Sequence, residues 1–350
     1  MPPLAPRALP AVLITTCLLA GSAAVFAQPD PVPSAGEDQR LMPYVEPGQR
    51  VDIGGRRINL HCTGAGRPTV ILMAGLFSWS AVWYKTQPVI AGETRVCAFD
   101  RAGYGFSDPG PRPQILSEVV DDLHAALRAG SIPGPYVLVG HSLGGLEARL
   151  YRQRWPDEVA GMVLVDTSPA GEGLIDEAQP GFDEVLGRES YAADMLQCAF
   201  LVLKEPLDAS RPASEKACST TLPSDAPAGF RQAWPQFFTA YYFADKVALM
   251  SSVYTHRYDS VDHQRLGNLP LVVLSTEYSW GDPGTPAGIW FHRSYAKIWI
   301  GLHESLARLS SRGVHRVIAG SGHHIQLDQP QAVDDAVHEV LVQVRAGATP

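Results

Sequence analysis

Short apolar runs recur along this chain and alternate with segments whose apolar residues repeat at helical spacing. Runs of strand length occupy residues 69–73, 95–99, 136–140, 162–165, 271–274 and 314–318. The helical repeat is clearest at Leu116, Val119, Val120, Leu123 and Leu127. Gly130 is positioned to end that helix. Strands that alternate with helices predict an α/β fold with a mostly parallel, doubly wound sheet covered on both faces.

Two segments depart from this alternation. Gly54 and Gly55 separate two short runs and predict a tight hairpin, which would make one edge of the sheet antiparallel. Residues 171–266 mix helical patches with a loop-like run, and we predict an inserted helical cap there, between core segments 49–170 and 267–346. We interpret the aromatic residues of the cap mainly as packing between its helices: Trp234, Phe237, Phe238, Tyr241, Tyr242 and Phe243.

The N-terminus has the pattern of a targeting segment. Residues 1–27 carry Arg7 ahead of an apolar stretch that ends in small residues, which is typical of a signal peptide cleaved before Gln28. A membrane anchor is the alternative. Residues 28–48 are rich in Pro, Gly and polar groups and are predicted to form a flexible leader. We therefore expect a secreted or periplasmic protein with no stable membrane span after cleavage.

Four cysteines would remain after that cleavage. In an oxidising compartment a bridge between Cys198 and Cys218 is favoured, because both lie in a loop-rich stretch. Cys62 and Cys97 each lie inside a predicted strand, and we interpret them as buried free thiols.

Composition narrows the class of protein. The 350 residues are 45% hydrophobic and 18% charged, which is typical of a globular protein with a sizeable core. The net charge of −8 includes no long charged run, so nucleic acid is not an expected partner. No His or Cys cluster has metal-ligand spacing, and neither a metal nor a cofactor is expected. The expected partner is a small-molecule substrate.

One motif carries a candidate nucleophile. Gly140-His141-Ser142-Leu143-Gly144 follows a predicted strand and opens a predicted helix, which is the context that the G-x-S-x-G pattern requires. Such a sharp turn exposes the serine hydroxyl at the carboxyl end of the sheet, and its glycines remove side chains that would collide. Ser142 is therefore the candidate nucleophile, and a purely structural Gly-Ser turn is the alternative.

Four segments, in this order, resemble the α/β-hydrolase superfamily in its capped serine esterase-like branch: ILMAGLFSWSAVW, FDRAGYGFSD, VGHSLGGLEARLY and GSGHHIQLDQP. The resemblance covers nearly the whole chain after the leader and implies an α/β-hydrolase fold. Serine at the nucleophile position argues against dehalogenase or epoxide hydrolase chemistry, for which the superfamily places Asp there. We interpret the FDRAGYGFSD loop as scaffold.

A serine hydroxyl needs a base to take its proton during attack. His323 lies on a Gly-flanked loop after the last predicted strand, and the family places its catalytic histidine at the matching position. His324 is the rival, while His141 is interpreted as a structural residue of the turn.

The acid of the triad is less clearly marked. By resemblance it usually stands after strand 271–274, where this chain offers Glu277 and Asp282, neither at the common spacing. A minority of the superfamily places the acid after the preceding strand, where this chain has Asp166. We favour Asp166 ahead of Asp282 and Glu277, and an aspartate that only caps the turn is the alternative.

The resemblance also assigns an oxyanion hole. Its donors would be the backbone amides of Leu143, after the nucleophile, and Leu76, in the Ala74-Gly75-Leu76-Phe77 loop. The family commonly has His where this chain has Ala74, but a backbone donor does not depend on that side chain.

Three functions follow from this reading. The first is hydrolysis of a carboxylic ester of a small or medium-sized substrate through an acyl-enzyme. The second is an N-terminal peptidase or amidase that uses the same triad, with cap carboxylates to hold the substrate ammonium; the candidates are Asp176, Glu177, Asp183 and Glu184. The third is a non-catalytic protein that binds a small ligand. The substrate's identity depends on the cap, which is the least readable part of the chain.

Overall fold

A computed structural model describes residues 36–111, 113–169, 188–204, 218, 222–254, 259–277 and 286–347. Within these ranges eight strands form one sheet: β1 Gln49–Asp52, β2 Arg57–Thr63, β3 Thr69–Met73, β4 Val96–Phe99, β5 Tyr136–His141, β6 Val159–Val165, β7 Leu271–Thr276 and β8 Gly313–Ile318. Their order is β1-β2-β4-β3-β5-β6-β7-β8. Only β2 pairs antiparallel, with β1 and β4, and the other pairings are parallel. The predicted mostly parallel α/β sheet is confirmed.

The described α-helices are α1 Gln87–Ala91, α2 Leu116–Ala129, α3 Leu143–Arg154, α4 Arg188–Lys204, α5 Ala228–Ala233, α6 Ala240–Tyr254, α7 Pro286–Ala307, α8 Ile325–Asp328 and α9 Pro330–Gly347. Short 3-10 helices lie at Gln39–Val45, Ser80–Trp83, Pro156–Glu158, Trp234–Phe237 and Asp259–His263. The apolar face predicted for α2 is buried, and Gly130 follows its last residue. No helix within the described ranges combines the length and apolar character that crossing a bilayer requires.

The edge hairpin forms where the glycine pair predicted it. Gly54 and Gly55 have φ angles of 108° and 93°, which a residue with a Cβ seldom adopts. Both of their amides donate to Asp52 Oδ1 at 2.8 Å, and this closes the turn between β1 and β2.

Both faces of the sheet are covered. In β3, Ile71 and Met73 face the cluster that includes α2 and α3, while Val70 and Leu72 face the cluster that includes α1 and α9. All four side chains are fully buried. A strand that is buried on both sides consists of a continuous run of apolar residues, as residues 69–73 do.

The segment between β6 and β7 contributes α4, α5 and α6 to a third apolar cluster. Phe230, Phe237, Phe238, Tyr242 and Phe243 are at most 4% exposed there. The cluster also includes Trp79 and Tyr104, which follow β3 and β4. These aromatic residues therefore pack as core, and they join the inserted helices to the loops at the carboxyl edge of the sheet.

The expectation of a flexible leader over 28–48 is wrong for its second half. Residues Gln39–Val45 form a 3-10 helix, with Leu41 and Tyr44 buried in the third cluster. Tyr44 donates a hydrogen bond to Gln87 Oε1 at 2.7 Å. The apolar residues of this segment were masked by the Pro-rich and polar residues around them. Residues 1–35, which contain the predicted signal peptide, lie outside the described part of the chain.

The cysteines form two disulfides. The predicted bridge between Cys198 and Cys218 is confirmed. The interpretation of Cys62 and Cys97 as free thiols is wrong, because they are bridged. These two residues lie directly opposite each other on antiparallel strands β2 and β4, with their Cα atoms 4.0 Å apart. Only strand pairing brings them together, so their spacing in the sequence held no signal of the bridge.

Candidate active site

Ser142 stands at the sharp turn between β5 and α3. Its φ and ψ angles are 51° and −123°, a conformation that costs a residue other than glycine about 1–3 kcal/mol. The surrounding backbone holds it in place, since Ser142 N–H donates to Val165 O at 3.0 Å and Ser168 N–H donates to Ser142 O at 3.1 Å. The strain is therefore maintained by hydrogen bonds from the neighbouring strand β6 and the residues that follow it.

The glycines of the motif are required by close backbone approach. A Cβ on Gly144 would collide with Met73 O at the end of β3, and a Cβ on Gly140 would collide with the backbone of Gly144. The start of α3 can therefore lie against the end of β3 only if both positions lack side chains. This is the physical reason for the G-x-S-x-G pattern in this chain.

Asp166 follows β6 directly and hydrogen-bonds to His323. The distance from Asp166 Oδ2 to His323 Nδ1 is 2.6 Å. The other carboxylate oxygen, Oδ1, accepts hydrogen bonds from Thr276 N–H at 3.0 Å and from Trp299 Nε1–H at 2.9 Å. Asp166 itself is fully buried and has a φ angle of 41°. A carboxylate with this many donors is fixed in one orientation.

The contact with Asp166 sets the protonation of the imidazole. Because a carboxylate only accepts, His323 Nδ1 carries the proton and Nε2 keeps a lone pair. Burial lowers the pKa of His323 well below its ordinary value, with the neighbouring His324 as a smaller cause. Burial also raises the pKa of Asp166, while the donors Thr276 and Trp299 oppose that rise. A neutral His323, whose Nε2 carries a lone pair, is the form that can accept a proton.

A second contact ties the His323 loop to the turn that carries Ser142. His141 Nε2 lies 2.9 Å from the His323 carbonyl oxygen, and the centroids of these two imidazole rings are 4.6 Å apart. Since His141 directly precedes Ser142, this bond joins the His323 loop to the turn that carries the candidate nucleophile. The His324 ring also packs against His141, with the ring centroids 4.9 Å apart. It is His323, and not His324, whose imidazole bonds to Asp166.

The other proposed acids lie elsewhere. Glu277 is exposed, and its carboxylate accepts from Gly320 N–H at 3.4 Å. Asp282 lies outside the described residues, as do the cap carboxylates considered for a peptidase. Among the acids that the structure describes, Asp166 is the one that bonds to His323.

The loop expected to supply one oxyanion donor runs next to Ser142. A Cβ on Gly75 would lie 3.2 Å from Ser142 Cβ, so the Gly75–Leu76 backbone passes directly beside the candidate nucleophile. Leu143 is the first residue of α3, where an amide has no acceptor within the helix. Both predicted donors therefore belong to backbone that adjoins Ser142.

A buried ion pair supports this loop. Arg101 donates to the carbonyl oxygens of Ala74 and Gly75, and its guanidinium pairs with Glu147 at 2.7 Å. The Arg101 and Glu147 side chains are 2% and 0% exposed. Breaking such a pair from one side is strongly destabilising, which agrees with the scaffold interpretation of the FDRAGYGFSD segment. The sequence does not mark Glu147, because its partner Arg101 lies on a distant segment, in the loop after β4.

A histidine near Asp166 was also missed. His303 on α7 lies 4.0 Å from Asp166 Oδ1 and is fully buried. Its Nε2 lies 2.7 Å from Thr167 O, and its Nδ1 lies 2.6 Å from Ser275 Oγ. Burial lowers the pKa of His303 to about 4, so this imidazole is neutral at neutral pH. Neither His303 nor Trp299 belongs to a recognisable motif, and no signal in the sequence could have marked them.

The order of the strands and the positions of Ser142, Asp166 and His323 after them are typical of a hydrolase with an α/β fold. The family model described as "alpha/beta hydrolase fold" matches residues 68–285, and the chain belongs to that family.

Individual relatives agree with this assignment. The 2-hydroxy-6-oxo-2,4-heptadienoate hydrolase of Pseudomonas putida is 30% identical over 203 residues, which are 56% of this chain and 68% of that enzyme. An uncharacterized protein of Bacillus subtilis is 29% identical over 122 residues. That match covers 34% of this chain and 37% of the relative. This chain therefore spans little more than a third of the length of the Bacillus subtilis protein. A thermophilic esterase from Thermogutta terrifontis has the same fold, with a TM-score of 0.56 and 21% identity over 85% of this chain and 98% of that one.

The hydrogen bond between Asp166 and His323 can be tested by substitution of the carboxylate. Asp166→Asn should lower kcat on an activated ester by about 10⁴-fold, because an amide in place of the carboxylate no longer holds the imidazole in the required tautomer. Steady-state kinetics would measure the change. Glu277→Gln is the matched control and should stay close to wild type. Equal activity of Asp166→Asn and wild type would contradict the role of Asp166, and a collapse in Glu277→Gln would point to the other loop.

Proposed function

We propose that this chain is a serine hydrolase that cleaves a carboxylic ester of a small or medium-sized substrate through an acyl-enzyme. The observation that carries the proposal is the 2.6 Å contact between Asp166 and His323. Ser142, in a strained backbone conformation, follows the strand next to the one that Asp166 follows. An acid, an imidazole that can accept a proton at Nε2 and a serine hydroxyl are the three parts that acyl transfer to water requires.

The steps follow from the positions of these groups. Ser142 Oγ attacks the ester carbonyl carbon while His323 Nε2 takes its proton. The amides of Leu76 and Leu143 stabilise the oxyanion that forms. When the intermediate collapses, the bond to the alcohol breaks and His323 returns the proton to the leaving oxygen. Water then attacks the acyl-enzyme while His323 Nε2 takes its proton. The bond to Ser142 Oγ breaks, His323 returns the proton to that oxygen, and the acid is released.

Labelling by a fluorophosphonate separates this proposal from a non-catalytic binding protein. The wild type should be labelled covalently, and Ser142→Ala should not be labelled, because only the activated hydroxyl attacks phosphorus. A panel of 4-nitrophenyl esters and aminoacyl arylamides should show turnover of the esters. Failure of the wild type to react with the probe would refute the catalytic reading, and turnover of the arylamides alone would favour the peptidase.

The pH dependence tests His323 as the base. Only its neutral form accepts a proton, so kcat/KM should be constant at neutral pH and fall as pH decreases through its pKa. Because burial lowers that pKa, the midpoint of the acidic limb should lie below the ordinary histidine value of about 6.5. A neutral ester substrate keeps its own titration out of the profile. A midpoint clearly above 7 would contradict the desolvated imidazole.

We also propose export to the periplasm or the medium. Two disulfides support this, because such bonds persist in oxidising compartments, and residues 1–27 have the pattern of a signal peptide. N-terminal sequencing of the exported protein should give Gln28 as the first residue. All four cysteines should be alkylated only after reduction, and each bridge should contribute about 3–4 kcal/mol to the free energy of unfolding. An unprocessed, fully thiol form retained in the cell would refute export.

A further inference from the structure

Lys246 on α6 is a buried lysine that pairs with no anion among the residues that the structure describes. It is 2% exposed, and it makes no hydrogen bond or ion pair with any other residue that the structure describes. Its Nζ instead lies over three aromatic rings, 4.0 Å from the centroid of Tyr242, 4.8 Å from Phe77 and 5.3 Å from Phe243. The neighbouring carboxylate, Asp245, accepts from Gln114 N–H.

Lys246 lies where the cap contacts a loop of the candidate active site. Phe77 directly follows Leu76 in the loop that passes beside Ser142. Tyr242, one turn before Lys246 on α6, donates its hydroxyl hydrogen to Phe77 O at 3.1 Å. The amino group of Lys246 therefore lies where the inserted helices meet the loop that is expected to stabilise the oxyanion.

The contacts of Lys246 do not fully offset the free-energy cost of burying its amino group in the protonated form. Removing an ammonium from water costs several kcal/mol, and contact with aromatic faces offsets only part of that cost. Accordingly, burial lowers the pKa of Lys246 well below its ordinary value. An apolar residue of similar length would pack in the same place without this penalty. An anion that arrives with the substrate would stabilise the protonated form and complete the ion pair.

We propose that Lys246 binds a carboxylate carried by the substrate, so that the preferred substrates are esters that bear a free acid group. This inference rests on the proposed function, since it concerns the substrate class of the same site. Lys246 is a specificity-determining residue in this reading, and it takes no part in the transfer of the acyl group.

The test compares matched anionic and neutral esters. The first pair differs on the acyl side: mono-4-nitrophenyl glutarate carries a carboxylate, and 4-nitrophenyl valerate does not. The second pair differs on the alcohol side: 4-acetoxybenzoate carries a carboxylate, and 4-acetoxybenzamide does not. The wild type should have a higher kcat/KM for the anionic member of at least one pair. Lys246→Met should reduce that ratio by about tenfold to a hundredfold, mainly through KM, because a charge-assisted hydrogen bond is lost. Lys246→Arg should recover part of it.

Lys204→Met is the matched control, because it removes an exposed positive charge from cap helix α4 and should leave the ratio unchanged. If Lys246→Met does not fold, the wild type still provides a test through its thermal stability. Glutarate should raise the melting temperature more than glutaramide does, since only glutarate offers an anion.

The outcomes separate the two proposals. A wild type that hydrolyses the neutral esters well, prefers neither member of a pair and is not stabilised by glutarate would overturn the role of Lys246 and leave the esterase proposal intact. An unchanged ratio in Lys246→Met would also overturn that role. A wild type that cleaves none of the four esters and is not labelled by a fluorophosphonate would instead refute the hydrolase proposal itself.

Discussion

The parallel register of β5 and β6 is the constraint on which the candidate site depends. His141 pairs with Val165 in that register, so the residues that follow each strand, Ser142 and Asp166, emerge side by side at the carboxyl edge. Both leave the strand with a positive φ angle, and each amide donates to the next strand along, to Val165 O and Leu274 O respectively. The sheet thus holds two strained residues in place with its own hydrogen bonds. His323 then needs to reach only one point between them.

Buried polar groups fix the loops around that point. Arg101 and Glu147 hold the carbonyl groups of the loop that carries Leu76, and Trp299 and Thr276 hold one oxygen of Asp166. These groups are in low-dielectric surroundings, where a satisfied hydrogen bond is strong and an unsatisfied one is costly. The fold itself consequently sets the orientation of Asp166 and of the backbone proposed to stabilise an oxyanion, and such stabilisation depends on donors that are already in place.

The inserted helices have a different relation to the site. Their aromatic residues form a core of their own and extend it to Trp79 and Tyr104 on the loops of the sheet. Packing of this kind positions α6 against the loop that contains Phe77, and it brings Lys246 to the same place. The proposed chemistry and the proposed specificity therefore come from separate parts of the chain. The carboxyl edge of the sheet carries the residues proposed to react, and the cap carries the proposed contact with the substrate.

Local apolar spacing and glycines that relieve local collisions were enough to predict the strands, the helix α2, the edge hairpin and the turn at Ser142. The resemblance limited the candidates for the acid of the triad to three residues. The contact between Asp166 and His323 and the bridge between Cys62 and Cys97 became visible only in the folded chain. The same holds for Trp299, His303, Glu147 and Lys246, whose partners lie on distant segments. Such contacts depend on the order of the strands in the sheet and on the packing of the inserted helices. Neither of these produces a repeating pattern of residues in the sequence.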